Sequence, residues 1–176
     1  MDTTTRIIGN LMPLWAWLIY VLFSTGIIFY NIKSNKQKPI IRSLILIYPI
    51  FVLLLTIITR TPKANIRAEW IPFWSWYDVI FHHNKTLFEE NILNILMLLP
   101  LGVMLKLYKI NFTVKHAFHC GLALSATIEV TQLIFRLGLF EWDDMIHNTL
   151  GCVLGTLIAE NIMQIKKLLR TGNIKK

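Results

Sequence analysis

Polar side chains recur at helical spacing inside two otherwise apolar stretches of this chain. Ser125, Glu129, Gln132 and Arg136 follow one another at intervals of four, three and four. At about 100° per residue they fall within roughly 60° of one another on one helical face. The next apolar stretch repeats the spacing with Asp144, Asn148, Gly151 and Gly155. These two stretches are the last of five hydrophobic runs, at about Leu11–Ile32, Ile41–Ile58, Ile92–Leu107, Lys115–Leu137 and Asp144–Ile165. Each is close to the length that a bilayer-crossing helix needs. The pattern predicts an all-α, polytopic membrane protein with about five transmembrane helices. Pro49 predicts a kink in the second run, and Pro100 with Gly102 a bend in the third, the shortest of the five.

One long loop, about Thr59 to Asn91, separates the second and third runs. It holds Trp70, Ile71, Pro72, Phe73, Trp74, Trp76 and Tyr77, followed by Asp78. The spacing of Trp70, Trp74 and Tyr77 fits one face of a short amphipathic helix lying in the headgroup layer. An aromatic platform over a site is the alternative.

Composition strengthens the membrane reading. The chain is 55% hydrophobic with a mean hydropathy of +0.53, too apolar for an ordinary soluble domain. A net charge of +8 raises the question of nucleic acid. The basic residues instead sit in short segments between the runs and at the C-terminus, where they set topology and contact anionic lipid, so no nucleic-acid partner is expected. Lys33, Lys36, Lys38 and Arg42, then Lys106, Lys109 and Lys115, then Lys166, Lys167, Arg170, Lys175 and Lys176 all fall on one side of a five-span chain. That is twelve of the eighteen basic residues. The positive-inside rule then sets the N-terminus outside and the C-terminus in the cytoplasm of a plasma membrane. The first run is too long for a typical signal peptide and is expected to remain as a span.

The polar ladders are where chemistry is expected. A charged side chain deep in lipid costs about 2.5–3.5 kcal/mol on insertion scales, so Glu129 must be protonated, paired or wet. Two readings stay open. Arg136 pairing with Asp144 across a short connection would make a structural clamp. A functional pocket would place Glu129 or Asp144 at its centre as a general base, with Ser125, Gln132, Arg136, Asn148 and Asn94 as binding groups. Gly151 and Gly155 form a GxxxG pattern that implies close helix packing.

No Walker loop, dinucleotide fingerprint, serine nucleophile elbow or HExxH is present. His116, His119 and Cys120 have local metal-ligand spacing but no further ligand cluster, so neither metal nor cofactor is expected. His147 lies one position off the Asp144/Asn148 face and is expected to point elsewhere. Cys120 and Cys152 both read as buried free thiols.

Three blocks of sequence resemble the VanZ-like family of bacterial membrane proteins. The first is Trp70, Ile71, Pro72 and Phe73, with Arg60 or Arg67 matching a preceding arginine. The second is Asn94, five apolar residues, Pro100, Leu101 and Gly102. The third runs from Ser125 through Glu129, Gln132 and Arg136 to Asp144, Asn148, Gly151 and Gly155. The stretch between Arg136 and Asp144 is slightly longer than the common family form. The resemblance is strongest over residues 60–155 and implies a single domain over 1–176. It also implies a plasma-membrane protein whose founding relative is linked to resistance to the glycopeptide teicoplanin. The expected partners are membrane lipids together with lipid-linked cell-wall precursors or lipoglycopeptides. Oligomeric state is not set by the sequence. An intramembrane enzyme on a lipid-linked substrate is the alternative, and transport ranks last because no inverted repeat is visible.

Overall fold

The protein is described by a computed structural model covering residues 14–34, 38–58 and 60–170. The expected start of the first run at Leu11 lies outside the described residues, as do Lys36, Lys175, Lys176 and the side chains of Trp15 and Trp17. Among the described residues there are six helices: α1 (Leu14–Lys33), α2 (Pro39–Leu53), α3 (Trp74–His82), α4 (Lys85–Tyr108), α5 (Val114–Ile134) and α6 (Trp142–Arg170). A π-helical turn, Leu54–Ile58, extends α2. Two three-residue strands, β1 (Arg67–Glu69) and β2 (Leu139–Glu141), complete the set.

The chain is an all-α membrane protein. Pro39–Ile58, Lys85–Tyr108 and Val114–Ile134 are long and apolar enough to cross a bilayer, and Leu18–Lys33 is a shorter apolar stretch. α6 has 29 residues, about 43 Å at 1.5 Å per residue, but is more polar than these. The third run is not the short segment expected. α4 starts at Lys85 because the Asn84 side chain caps it, accepting from the Leu87 N–H at 3.2 Å. The helix then runs for 24 residues straight through Pro100. α2 likewise passes Pro49 and changes character only at Leu54, where the π turn begins.

Chain contacts divide the protein into two compact units. One comprises Met1–Pro72 and Ala126–Trp142, and the other Phe73–Ser125 with Asp143–Lys176. In the first unit, α1 and α2 pair through a buried polar clamp. Asn31 Nδ2 donates to Ser43 Oγ at 3.0 Å, and Ser43 Oγ donates to the Pro39 carbonyl at 2.8 Å. β1 and β2 pair in parallel, with Ala68 opposite Phe140 and Glu69 opposite Glu141. In the second unit, α4 and α6 pack backbone to backbone. A Cβ added to Gly151 would collide with the Ile95 carbonyl, one on Gly155 with the Leu99 carbonyl, and one on Gly102 with the Cys152 carbonyl. Thr156 Oγ1 donates across this contact to the Gly102 carbonyl at 3.3 Å. The GxxxG pattern is therefore a packing groove, and Gly102 belongs to the same contact. Cys152 is buried beside Gly121. Cys120 is exposed, because it faces outward from α5.

Candidate functional site

The second unit gathers polar side chains from α3, α4, α5 and α6. Asn91 and Asn94 stand one turn apart on α4, and Asp143, Asp144, His147 and Asn148 fill the first two turns of α6. Adjacent helical residues point about 100° apart, so the neighbouring acids address different partners. Asp144 Oδ1 accepts from Asn94 Nδ2 at 2.5 Å. Asp143 turns to α3 instead. Its Oδ2 accepts from the Ser75 N–H at 2.9 Å and from Ser75 Oγ at 2.5 Å, and its Oδ1 accepts from the Phe73 N–H. Ser75 Oγ in turn accepts from Asn91 Nδ2 at 3.2 Å.

This carboxylate supplies what α3 lacks in its own sequence. Phe73, at the start of α3, has no capping side chain and holds a left-handed backbone at φ 65°. The first N–H groups of a helix need acceptors, and Asp143 provides them from 68 positions away. It is 1% exposed, so its charge is tolerable only because three donors surround it.

Two further pairs lie in this unit. Trp76 Nε1 donates to His147 Nε2 at 2.6 Å, with the rings edge to face. An indole N–H can only donate, so Nε2 must be the bare nitrogen and the neutral ring carries its hydrogen on Nδ1. Asn148 Nδ2 donates to Ser125 Oγ at 2.8 Å. His147 Nδ1, Asn148 Oδ1 and Thr149 Oγ1 are buried with no hydrogen-bond partner among the described residues. Successive residues at the head of α6 thus hold one donor, one acceptor and one hydroxyl, all buried.

Glu129, Gln132 and Arg136 belong to the first unit. Glu129, 1% exposed, accepts from the Glu141 N–H at 3.1 Å through Oε2. Gln132 Nε2 donates to the Thr56 carbonyl at 3.1 Å, a group inside the π turn, and Gln132 Oε1 accepts from Arg60 Nη1 at 3.4 Å. Arg136 is not the last rung of a helical ladder. α5 ends at Ile134, and Arg136 follows in the left-handed region at φ 58°. The Leu137 N–H bonds the Gln132 carbonyl at 2.8 Å and the Arg136 N–H the Leu133 carbonyl at 3.3 Å. This double closure is a Schellman stop. Arg136 Nη1 donates to the Ala64 carbonyl at 3.2 Å, whereas the clamp, one of the two readings of the sequence, pairs it with Asp144.

Of the expected site residues, the structure joins Asn94 to Asp144 and Ser125 to Asn148, and links Glu129, Gln132 and Arg136 separately to Glu141, Thr56 and Ala64. The sequence reading missed Asp143, Ser75, Asn91 and the His147–Trp76 pair. The only available signal was a serine set among tryptophans, and nothing in the sequence says that a distant carboxylate caps it. The aromatic loop also departs from expectation. Trp70 precedes α3 and stacks on Phe140, centroids 5.1 Å apart, rather than sharing a helical face with Trp74 and Tyr77. α3 exposes Tyr77, Ile80 and Phe81 beside the exposed Phe73.

At the far end of α3, Asp78 accepts from Asn84 Nδ2 at 2.7 Å and bonds the His82 ring Nδ1 at 2.6 Å. These bonds, His82 first, hold its carboxyl below the usual carboxylate range.

The VanZ/LLP1 family model matches residues 14–164. Protein VanZ of Enterococcus faecium is 40% identical over 70 residues, covering 39% of this chain and 42% of that relative. The match thus spans less than half of the relative's length. No solved structure matches.

Proposed function

The chain belongs to the VanZ/LLP1 family, and on that premise we propose that it acts at the outer face of a bacterial plasma membrane. There it lowers susceptibility to lipid-tailed glycopeptides such as teicoplanin. The observation that carries this reading is the apolar face of α3. Phe73, Tyr77, Ile80 and Phe81 are each more than half exposed, while Asp143 and His147 tie the opposite side of the helix to α6. A helix that is greasy outward and fixed inward suits the headgroup layer, where the acyl tail of such a drug also inserts. The twelve basic residues on the opposite side of a five-span chain support an outward orientation for α3.

A second reading, an intramembrane enzyme acting on a lipid-linked cell-wall or headgroup substrate, is favoured by Glu129. This buried carboxylate sits on α5 within one turn of Gln132, which holds Arg60, so a base and a cation are close in one unit. Asp144 is the corresponding acid of the second unit.

The test is expression in a susceptible Gram-positive host, comparing teicoplanin with vancomycin, which lacks the tail. Protection against teicoplanin alone is expected. Unchanged sensitivity at verified membrane levels overturns the proposal. Glu129→Gln and Asp144→Asn at matched abundance then separate the roles. Loss of protection supports a functional carboxylate, and full protection in both leaves a structural clamp. Reporter fusions should put the C-terminus in the cytoplasm and α3 outside; a cytoplasmic signal from the α3 region defeats the outward reading.

A further inference from the structure

Four cationic residues lie on adjoining segments where the first unit leaves α2 and where α5 ends. Arg60, Lys63 and Arg67 lie on the connector after the π turn, and Arg136 lies at the Schellman stop. Two backbone-level contacts zip these segments together: the Lys63 N–H bonds the Arg136 carbonyl at 2.8 Å, and Arg136 Nη1 returns to the Ala64 carbonyl at 3.2 Å. Arg67 then opens the β1–β2 pairing opposite Leu139. All four side chains are exposed. The ion pairs seen in the structure, His82–Asp78 and Lys106–Glu160, involve none of the four.

The two guanidiniums are held in place. Arg60 rests over Gly138, where a Cβ would collide with its Nη1, and is oriented by Gln132 Oε1, itself fixed by the Thr56 carbonyl. Arg136 occupies a backbone conformation that glycine prefers and is oriented by the Ala64 carbonyl. Each guanidinium uses one of its five N–H donors in these bonds, leaving most of each fork for an anion. Phosphate matches such forks bidentately.

The surroundings indicate where the phosphate is carried. Ile66, Trp70 and Ile71 are each at least 60% exposed and alternate with Lys63 and Arg67 along the connector. Interleaved cations and exposed apolar side chains at the end of a membrane-crossing helix fit a headgroup with its acyl or prenyl chain alongside. We infer that this end of the first unit is a binding site for the phosphate group of a membrane lipid. The outward orientation proposed above would set it in the outer leaflet, but binding in detergent does not depend on orientation or on drug response.

The experiment titrates the purified full-length chain in neutral detergent with dioctanoyl phosphatidic acid, following bound lipid by native mass spectrometry. Dioctanoyl phosphatidylcholine and inorganic phosphate serve as parallel arms. Saturable binding of phosphatidic acid is expected, weakened by salt and not matched by phosphatidylcholine. Neutralising single cations (Lys63→Gln, Arg67→Gln, Arg136→Gly) should each weaken it roughly fivefold. Arg136→Gly suits the left-handed backbone, and the Lys63 and Arg67 side chains are exposed, so loss of binding is not loss of fold. Equal binding of phosphatidylcholine, or no effect of all three substitutions, overturns the site. Inorganic phosphate competing at the same concentration as the lipid overturns the assignment to a membrane lipid.

Discussion

Asp143 and Ser75 are 68 positions apart, yet the Oδ2 of Asp143 accepts both the backbone N–H and the hydroxyl of Ser75. One side chain of α6 therefore serves as the N-terminal cap of α3. Asp143→Asn keeps the size but removes the charge and half the acceptor capacity. Hydrogen bonds to a charged group contribute about 1.5–3 kcal/mol. The variant should lose stability on that scale, with the α3 segment becoming sensitive to limited proteolysis before the rest. Wild-type resistance of residues 73–83 would contradict the capping role.

Trp76 and His147 should be energetically coupled. Trp76→Phe keeps an aromatic ring but removes the indole donor to His147 Nε2, leaving a buried acceptor without that bond at a cost of about 1–3 kcal/mol. In a double-mutant cycle with His147→Leu, the second substitution should recover part of the loss, giving a coupling of roughly 0.5–3 kcal/mol. Additive effects on thermal unfolding would show that the 2.6 Å contact contributes little.

Replacing Gly151 and Gly155 by Leu should sharply lower the amount of folded protein in the membrane. Each new side chain meets a backbone carbonyl of α4, not a movable side-chain end, so the helices must separate. Even Gly151→Ala alone is expected to reduce the melting temperature in detergent. Unchanged abundance and melting in the double variant would refute the close α4–α6 contact.

Arg136→Gly should stabilise the fold slightly. A non-glycine residue in the left-handed region costs about 1–2 kcal/mol, against which stands the lost hydrogen bond to Ala64, about 1 kcal/mol. Chemical unfolding in mixed micelles should register a gain between zero and about 1 kcal/mol. A clear loss of stability would mean that the guanidinium contributes more to the fold than its one bond to Ala64.

The junction of α3 and α4 should weaken in acid through Asp78. His82 and Asn84 hold the Asp78 carboxyl below its ordinary value, which is about 3.9. A depressed carboxyl stabilises the fold above its unfolded pKa, and that contribution disappears as pH falls through the lower folded value. Protection factors of the amides near residues 79–84, corrected for intrinsic exchange, should therefore fall as pH drops below about 4. Asp78→Asn should abolish that dependence.

What the sequence determined by itself is local and periodic. Among the described residues, each of the five apolar runs is helical over most of its length, and three of those helices are long and apolar enough to cross a bilayer. The four- and three-residue spacing put Ser125, Glu129 and Gln132 on one face, and all three are at most 2% exposed. The GxxxG pattern foretold a backbone contact, though not that Ile95 and Leu99 provide its other side. Helix boundaries depended on caps, and Asn84 extended α4 where hydropathy alone stopped short.

Tertiary structure decided which partner each polar group takes. Asp143 and Asp144 are chemically identical neighbours, but one caps α3 and the other bonds Asn94, because 100° of helical rotation directs them to different elements. The pairing of His147 with Trp76 has no periodic signature, nor do three-residue strands 72 positions apart in the chain. Periodicity records which face of a helix is covered. What covers it is fixed by packing between distant segments, and no residue spacing within one segment carries that information.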